Sequence, residues 1–145
     1  MKGLPWIVAV GAEVIMIAFS GRLIKRFGAV TAIIIAFIAM AIRFFVLANT
    51  PSWGIILVIQ LLHAFTFGAY HPAAIRIINE MTPEAFRATG QTLVSMVGGI
   101  GGILGNLVGG MWAASHGYMA LYKNLGFSVI TTTIVLIVAF SIWKE

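Results

Sequence analysis

Five long apolar runs divide the chain, separated by short polar clusters rather than by alternating or heptad patterns. They lie near Leu4–Ser20, Ala29–Ala48, Trp53–Ile78, Thr89–Trp112 and Leu121–Trp143. Each is long enough to cross a hydrocarbon core of about 30 Å at about 1.5 Å per residue. The pattern predicts an all-α, polytopic transmembrane bundle of five helices. The third run is longer than the hydrocarbon needs, so its C-terminal turns are expected to emerge into a headgroup or aqueous layer. The predicted connections are Gly21–Gly28, Asn49–Ser52, Asn79 to about Ala88, and Ala113–Lys123. Links this short favour antiparallel neighbours.

Basic residues set the expected orientation. Arg22, Lys25, Arg26, Arg76, Arg87 and Lys144 fall on one side, and only Lys2 and Lys123 on the other. Positive charge favours the cytoplasm, so the first and third connections and the C-terminus are expected there. With five spans the N-terminus is then outside, which hints at further helices upstream. Met1-Lys2 before an apolar run imitates a signal peptide, but Glu13 interrupts the would-be apolar core and four more runs follow. The run reads as a first spanning helix.

Composition narrows the classes further. The chain is 61% hydrophobic and only 9% charged, against roughly 25% charged in soluble domains. It has no cysteine, which removes disulfides, thiolate metal sites and cysteine nucleophiles. A net charge of +5 comes from residues at the ends of apolar runs. No basic arm or basic-aromatic stripe accompanies it, so nucleic acid is not an expected partner. There is no Asp, no Ser-His-Asp or paired-carboxylate arrangement and no metal-ligand spacing, so neither an enzyme, a metal nor a cofactor is expected.

Three ionisable residues sit inside separate apolar runs: Glu13, Arg43 and His63. Charge at bilayer depth costs roughly 2.5–3.5 kcal/mol for Asp, Lys or Arg on insertion scales. Such residues persist where they face a bundle interior or wet cavity and meet one another or a ligand. A carboxyl such as Glu13 can there take up and release a proton, or can hold two helices together through Arg43. Arg43 stays charged and needs a carboxylate, carbonyls or an anionic solute, or else snorkels to the headgroups. Gln60, His63, Thr66, Tyr70 and His71 share the third run. At about 100° per residue, His63, Thr66 and Tyr70 fall within roughly 60° and His71 lies roughly 80° away. Imidazole suits proton relay near neutral pH. Pro72 removes the amide that would bond to the Gly68 carbonyl, so a kink or hinge is expected.

The fourth run carries glycine at 98, 99, 101, 102, 105, 109 and 110. Gly101, Gly105 and Gly109 line one face at small-xxx-small spacing, which lets helix backbones approach closely in lipid. A phosphate-binding loop lacks its Lys-Ser/Thr and its preceding strand.

Taken together these residues resemble a known family. Gly21-x-x-x-Lys25-Arg26-x-Gly28 resembles the Gly-x-x-x-Asp-Arg-x-Gly loop of the major facilitator superfamily, with Lys25 in place of the acid. Ala12-Glu13-Val14, Phe19 to Leu23, Arg43, Gln60 to Gly68, His71 to Ala74, Ala88 to Gln91 and the glycine run resemble its MFS_1-like, phenylpropionate-permease-like branch. More distantly, Arg43 and His63, twenty residues apart in consecutive helices, resemble an Arg–His pair of lactose-permease-like carriers. The Glu three residues after that His is Thr66 here, so Glu13 would have to supply the carboxylate.

The resemblance implies helices eight to twelve of a twelve-helix transporter, part of its C-terminal half, with the N-terminal half as partner. It implies a proton-coupled symporter of a small organic solute in the cell membrane. Glu13 and His63 would be proton sites, and Arg43, Gln60, Thr66, His71 and Asn106 would face the solute. Two other readings stand beside it: a homodimeric small multidrug exporter built on Glu13, and a non-transporting membrane subunit or truncation product.

Overall fold

The computed structural model describes residues 4–49 and 52–143; Lys2, Thr50, Pro51 and Lys144 lie outside them. Among the described residues every regular element is helical: α1 (Leu4–Phe27), α2 (Ala29–Leu47), α3 (Trp53–Leu61), α4 (Tyr70–Met81) and α5 (Arg87–Trp143). A π turn at Ala64–Ala69 joins α3 to α4, and a 3₁₀ turn at Glu84–Phe86 precedes α5. Four stretches are long and apolar enough to span a membrane: Ile7–Phe27, Ala29–Leu47, Trp53–Met81 and Glu84–Ile142.

That number corrects the expected five. The fourth and fifth runs form one helical stretch of 57 residues. A straight helix of that length would run about 85 Å at 1.5 Å per residue, far beyond a bilayer. It is not straight. Gly117 has non-helical dihedrals (φ 82°, ψ 161°), and Leu121 Cδ1 lies 3.7 Å from where a Cβ on Gly109 would stand. Twelve residues along one helix would separate that pair by about 18 Å, so the chain doubles back at Gly117. The expected loop at Ala113–Lys123 contracts to that single residue, because its flanking residues tolerate helix and only glycine reaches that φ cheaply.

The first connection contracts in the same way. α1 continues through Phe27, and Gly28 alone (φ 85°) reverses the chain into α2. Leu23 and Ile24 extend the helix because they have a surface to pack on: Ile24 is buried against Ala29, Ala32, Ile33 and Ala73. Lys25 and Arg26 occupy the last turn of α1, where the helix dipole favours cations. Leu23 of α1 and Ile77 of α4 both pack against this same cluster, which brings the end of α1 to α4.

Small side chains make the core. Ala32, Ala36, Ala69 and Ala73 are fully buried, whereas no large side chain is, among the described residues. In lipid no hydrophobic force drives helices together, so close backbone approach and dispersion hold them. α2 supplies the largest share of this surface through Ala29, Ala32, Ile33, Ala36, Ala39 and Ala41. Its far end packs Phe45 directly on Gly126 and edge-on against Phe127 of α5, ring centroids 5.2 Å apart. Large apolar residues such as Ile7, Val97 and Ile103 point outward, as a chain surrounded by acyl tails requires. The molecule is a multi-pass membrane protein.

The glycine stripe of α5 is not where this packing occurs. A Cβ at Gly101 or Gly105 would meet nothing within 4 Å, and one at Gly109 would meet only Leu121. Tight glycine contacts fall instead at Gly68, Gly90 and Gly126.

Candidate functional site

The three charged or titratable residues of the apolar runs converge. Glu13 comes from the middle of α1, Arg43 from the last turns of α2, Gln60 from the end of α3, and His63 from the step between α3 and the π turn. Arg43 Nη2 donates to Gln60 Oε1 at 2.9 Å, and Arg43 Nη1 lies 3.1 Å from His63 Nδ1. On the other edge of the ring, His63 Nε2 stands 3.6 Å from Glu13 Oε2. The side chains of His63 and Glu13 are only about one-fifth exposed (20% and 19%), so the pair is shielded yet reachable. Arg43 Nε is buried with no hydrogen-bond partner among the described residues. Arg43 therefore turns inward and does not snorkel, and Glu13 faces His63 rather than Arg43.

Hydrogen-bond chemistry sets the histidine tautomer. A guanidinium has donors only, so Nδ1 must accept from Arg43. The ring proton of neutral His63 then sits on Nε2, aimed at the Glu13 carboxylate. Thr66 Oγ1 donates to the His63 carbonyl at 2.9 Å and lies 3.2 Å from Nδ1. It braces the ring from the buried side, being itself 4% exposed. A proton can reach the pair at the Glu13 oxygens or at Nε2, whereas Nδ1 opens only if Arg43 withdraws.

Backbone geometry holds α1 against this ring. The π turn carries Gly68 onto α1, where an added Cβ would stand 2.9 Å from Met16 Cβ and 3.1 Å from the Glu13 carbonyl oxygen. Only a residue without a side chain permits that approach. The π turn has a cause in the sequence: Pro72 offers no N–H to the Gly68 carbonyl, and wide turns of this type recur at functional sites. Its consequence is a ladder of rings. Four residues of α-helix overshoot a full turn by roughly 40°, and the wider π turn rotates less per residue. His63, Phe67 and His71 are thereby brought into line, with centroids 6.5 and 5.5 Å apart and planes 22° and 6° apart.

The remaining expected site residues are placed elsewhere. His71 is not in the Arg43–His63–Glu13 network; Phe67 stands between the two imidazoles. It borders a cavity of about 480 Å³ between α4 and the first arm of α5, together with Phe67, Tyr70, Gln91 and Ser95. Asn106 lines a separate cavity in the crook of the α5 hairpin, with Tyr118, Leu121 and Leu125. Sequence reasoning missed Phe67 and Gly68. The only signal for them was their position between His63 and Pro72 on one helix. No group of three or more His, Cys, Asp or Glu gathers among the described residues.

Comparison with known proteins follows this geometry. The model of the MFS_1 like family matches residues 1–124. The maltose permease of Geobacillus stearothermophilus is 30% identical over 136 residues, covering 93% of this chain and 34% of the permease. A "Probable 3-phenylpropionic acid transporter" of Escherichia coli (strain K12) is 36% identical over 76 residues, covering 52% of this chain and 20% of that protein. The chain thus spans about a third or less of the length of the curated relatives it matches. No solved structure matches it. With the family model covering most of its length, the chain belongs to the MFS_1 like family of the major facilitator superfamily.

Proposed function

We propose that this chain is the part of a proton-coupled secondary transporter that carries its coupling site, with Glu13 and His63 exchanging the proton and Arg43 and Gln60 holding His63 in register. The observation that carries the reading is the continuous contact Glu13–His63–Arg43–Gln60, assembled from three spans. Ionisable groups at membrane depth that pair with one another mark ion and proton paths. Both relatives carry transport names, permease and transporter. The chain works with further helices in a two-part carrier, in which a small organic solute binds between the parts. The exposed Arg22, Lys25, Arg26, Arg76 and Arg87 face the cytoplasm in this reading, supported by the packing of the end of α1 against α4. A small exporter built on Glu13 alone would leave Arg43, Gln60 and His63 without roles, although they are joined to it.

The test is a chimera. This chain replaces the matching segment of the Geobacillus maltose permease, and uptake of labelled solute into proteoliposomes is driven by an imposed proton gradient. Uptake is expected to follow the gradient, to be lost on Glu13→Gln and retained in part by Glu13→Asp. Gradient-driven uptake at the parental rate in the Glu13→Gln chimera would refute the proton assignment.

A further inference from the structure

The last two turns of α1 carry three cations that the proton network does not use. Arg22, Lys25 and Arg26 follow one another at i, i+3 and i+4, which places them within about 100° on the helix. All three are exposed. None of them forms a salt bridge among the described residues, whereas Arg76 is held by Glu80 at 2.7 Å. The face they occupy is the one that α1 turns away from the bundle. Ala9, Glu13, Ser20 and Ile24, which pack inward, lie about 140–200° round the helix from Arg22. Glu13 therefore cannot act as their counter-charge. Where the superfamily loop has Asp this chain has Lys25, so the end of α1 holds three positive charges and no negative one.

Below the cations the same face is apolar and open. Phe19 and Ile15 stand within about 60° of Arg22, roughly one and two turns nearer the middle of the span, and are 51% and 61% exposed. Aromatic rings hold two of the charges at this boundary. Arg22 Cζ lies 5.2 Å from the Phe19 ring centroid, and Arg26 Cζ lies 5.3 Å from that of Phe27. A guanidinium lying over a ring keeps the N–H donors in its own plane free for an anion. We infer that this face binds one anionic phospholipid, with its phosphodiester among Arg22, Lys25 and Arg26 and an acyl chain along Phe19 and Ile15. Guanidinium forks match phosphate oxygens, and basic clusters at the ends of spanning helices attract anionic lipid. A soluble anion would leave the apolar strip without a partner. A second transmembrane helix would cover the strip but set three cations against it without counter-charge. The site stands apart from the proton assignment and from the solute carried.

The experiment counts retained lipid. The full chain in neutral detergent is mixed with equal amounts of phosphatidylglycerol and phosphatidylcholine, and native mass spectrometry reads the adducts. Phosphatidylglycerol is expected to be kept in preference, as a single tight adduct. A Lys or Arg at an anionic headgroup is worth about fivefold in affinity, about 1 kcal/mol. Lys25→Gln and Arg22→Gln should each weaken the adduct by about that factor. Lys25→Asp changes the charge by two and should weaken it about twenty-fivefold. Arg76→Gln removes a cation already paired with Glu80 and should leave the adduct unchanged. Glycerol phosphate, which has the headgroup chemistry without a tail, is expected not to displace the lipid. Circular dichroism confirms that each variant is folded, and a variant that does not fold leaves the others to decide. Equal retention of the two lipids, an adduct indifferent to Lys25→Asp and Arg22→Gln, or equal weakening by Arg76→Gln each overturns the inference. Displacement by glycerol phosphate would overturn it in favour of a soluble anion. A dimer that forms only as the lipid leaves would assign the face to a second copy of the chain.

Discussion

Replacing Gly68 by Ala tests the approach that brings Glu13 to His63. The new Cβ would lie 2.9 Å from Met16 Cβ, 3.1 Å from the Glu13 carbonyl oxygen and 3.2 Å from Met16 Cγ. Carbon atoms pack best at about 3.5–4.0 Å, so α1 and the π turn must part by roughly 0.6 Å or more. Two of the three obstructing atoms are backbone or Cβ, and no rotamer change moves them. Overpacking of this kind costs about 1–3 kcal/mol. The better helix propensity of alanine offsets about 0.5–1 kcal/mol of it. A net loss of about 1–2 kcal/mol lowers the melting temperature by several degrees, at roughly 2–4 °C per kcal/mol for a chain near this size. The displacement also lengthens the 3.6 Å gap between Glu13 and His63, so the ¹⁵N ring resonances of His63 should shift. The same substitution at Gly101 or Gly105, where the space is open, provides the control. There alanine is expected to leave stability unchanged or to raise it by up to about 1 kcal/mol. The reasoning fails if Gly68→Ala melts at or above the parent temperature with His63 resonances unmoved.

Other substitutions probe the remaining features. Gly117→Ala forces a side chain into a conformation close to glycine-only space, at about 1–3 kcal/mol. Spin labels on Asn106→Cys and Leu125→Cys, in a chain with no native cysteine, should report a widened hairpin. Unchanged label distances and stability would show that the reversal does not depend on glycine. Arg43→Lys replaces a fork that reaches two acceptors with a single ammonium, losing one charge-assisted bond worth about 1.5–3 kcal/mol. Histidine ¹⁵N spectra should then show tautomer exchange at His63, whereas a retained Nε2–H form would show that Arg43 does not select it. Phe67→Leu keeps the volume apolar but removes the ring between His63 and His71. It is expected to shift both imidazole resonances while leaving the Arg43–Gln60 bond in place, and silence at His71 would argue against the ladder.

Much of the network was legible because ionisable residues contrast sharply with an apolar background. Glu13, Arg43 and His63 announced themselves as costly, and Gln60 and Thr66 followed from the helical face they share with His63. The partner choice was not legible: ion-pair logic joins Glu13 to Arg43, whereas packing interposes His63. A uniform 100° per residue through Pro72 set His71 about 80° from His63, whereas the rings of His63, Phe67 and His71 stack in line. That proline signals a disrupted ladder but not the π turn that results. Asn106 was placed by its polarity within the fourth run, and the fold puts it in the crook of the α5 hairpin. The alanine packing surface within this chain was hard to see for a related reason. Glycines at regular spacing stand out to the eye, while Ala32, Ala36 and Ala73 vanish among other apolar letters. Ser115, His116 and Lys123 looked like a loop by polarity, yet each tolerates helix and Gly117 alone breaks it.

The alanine core has a mechanical consequence. Large interlocked side chains act as teeth, so that one helix can move past another only in discrete jumps. Toward the π turn and α4, the fully buried residues of α2 and its neighbours are the alanines Ala32, Ala36, Ala69 and Ala73, a bearing with little to disengage. Displacement along such a surface is shear, the low-amplitude sliding by which packed helices change state without repacking. Arg43 rides on α2, whereas His63, Gln60 and Gly68 ride on the span it bears against. A slide of an ångström or so between the two would draw the guanidinium off Nδ1 and expose the second ring nitrogen. The smoothness of the bearing would then govern how readily His63 gains its second proton.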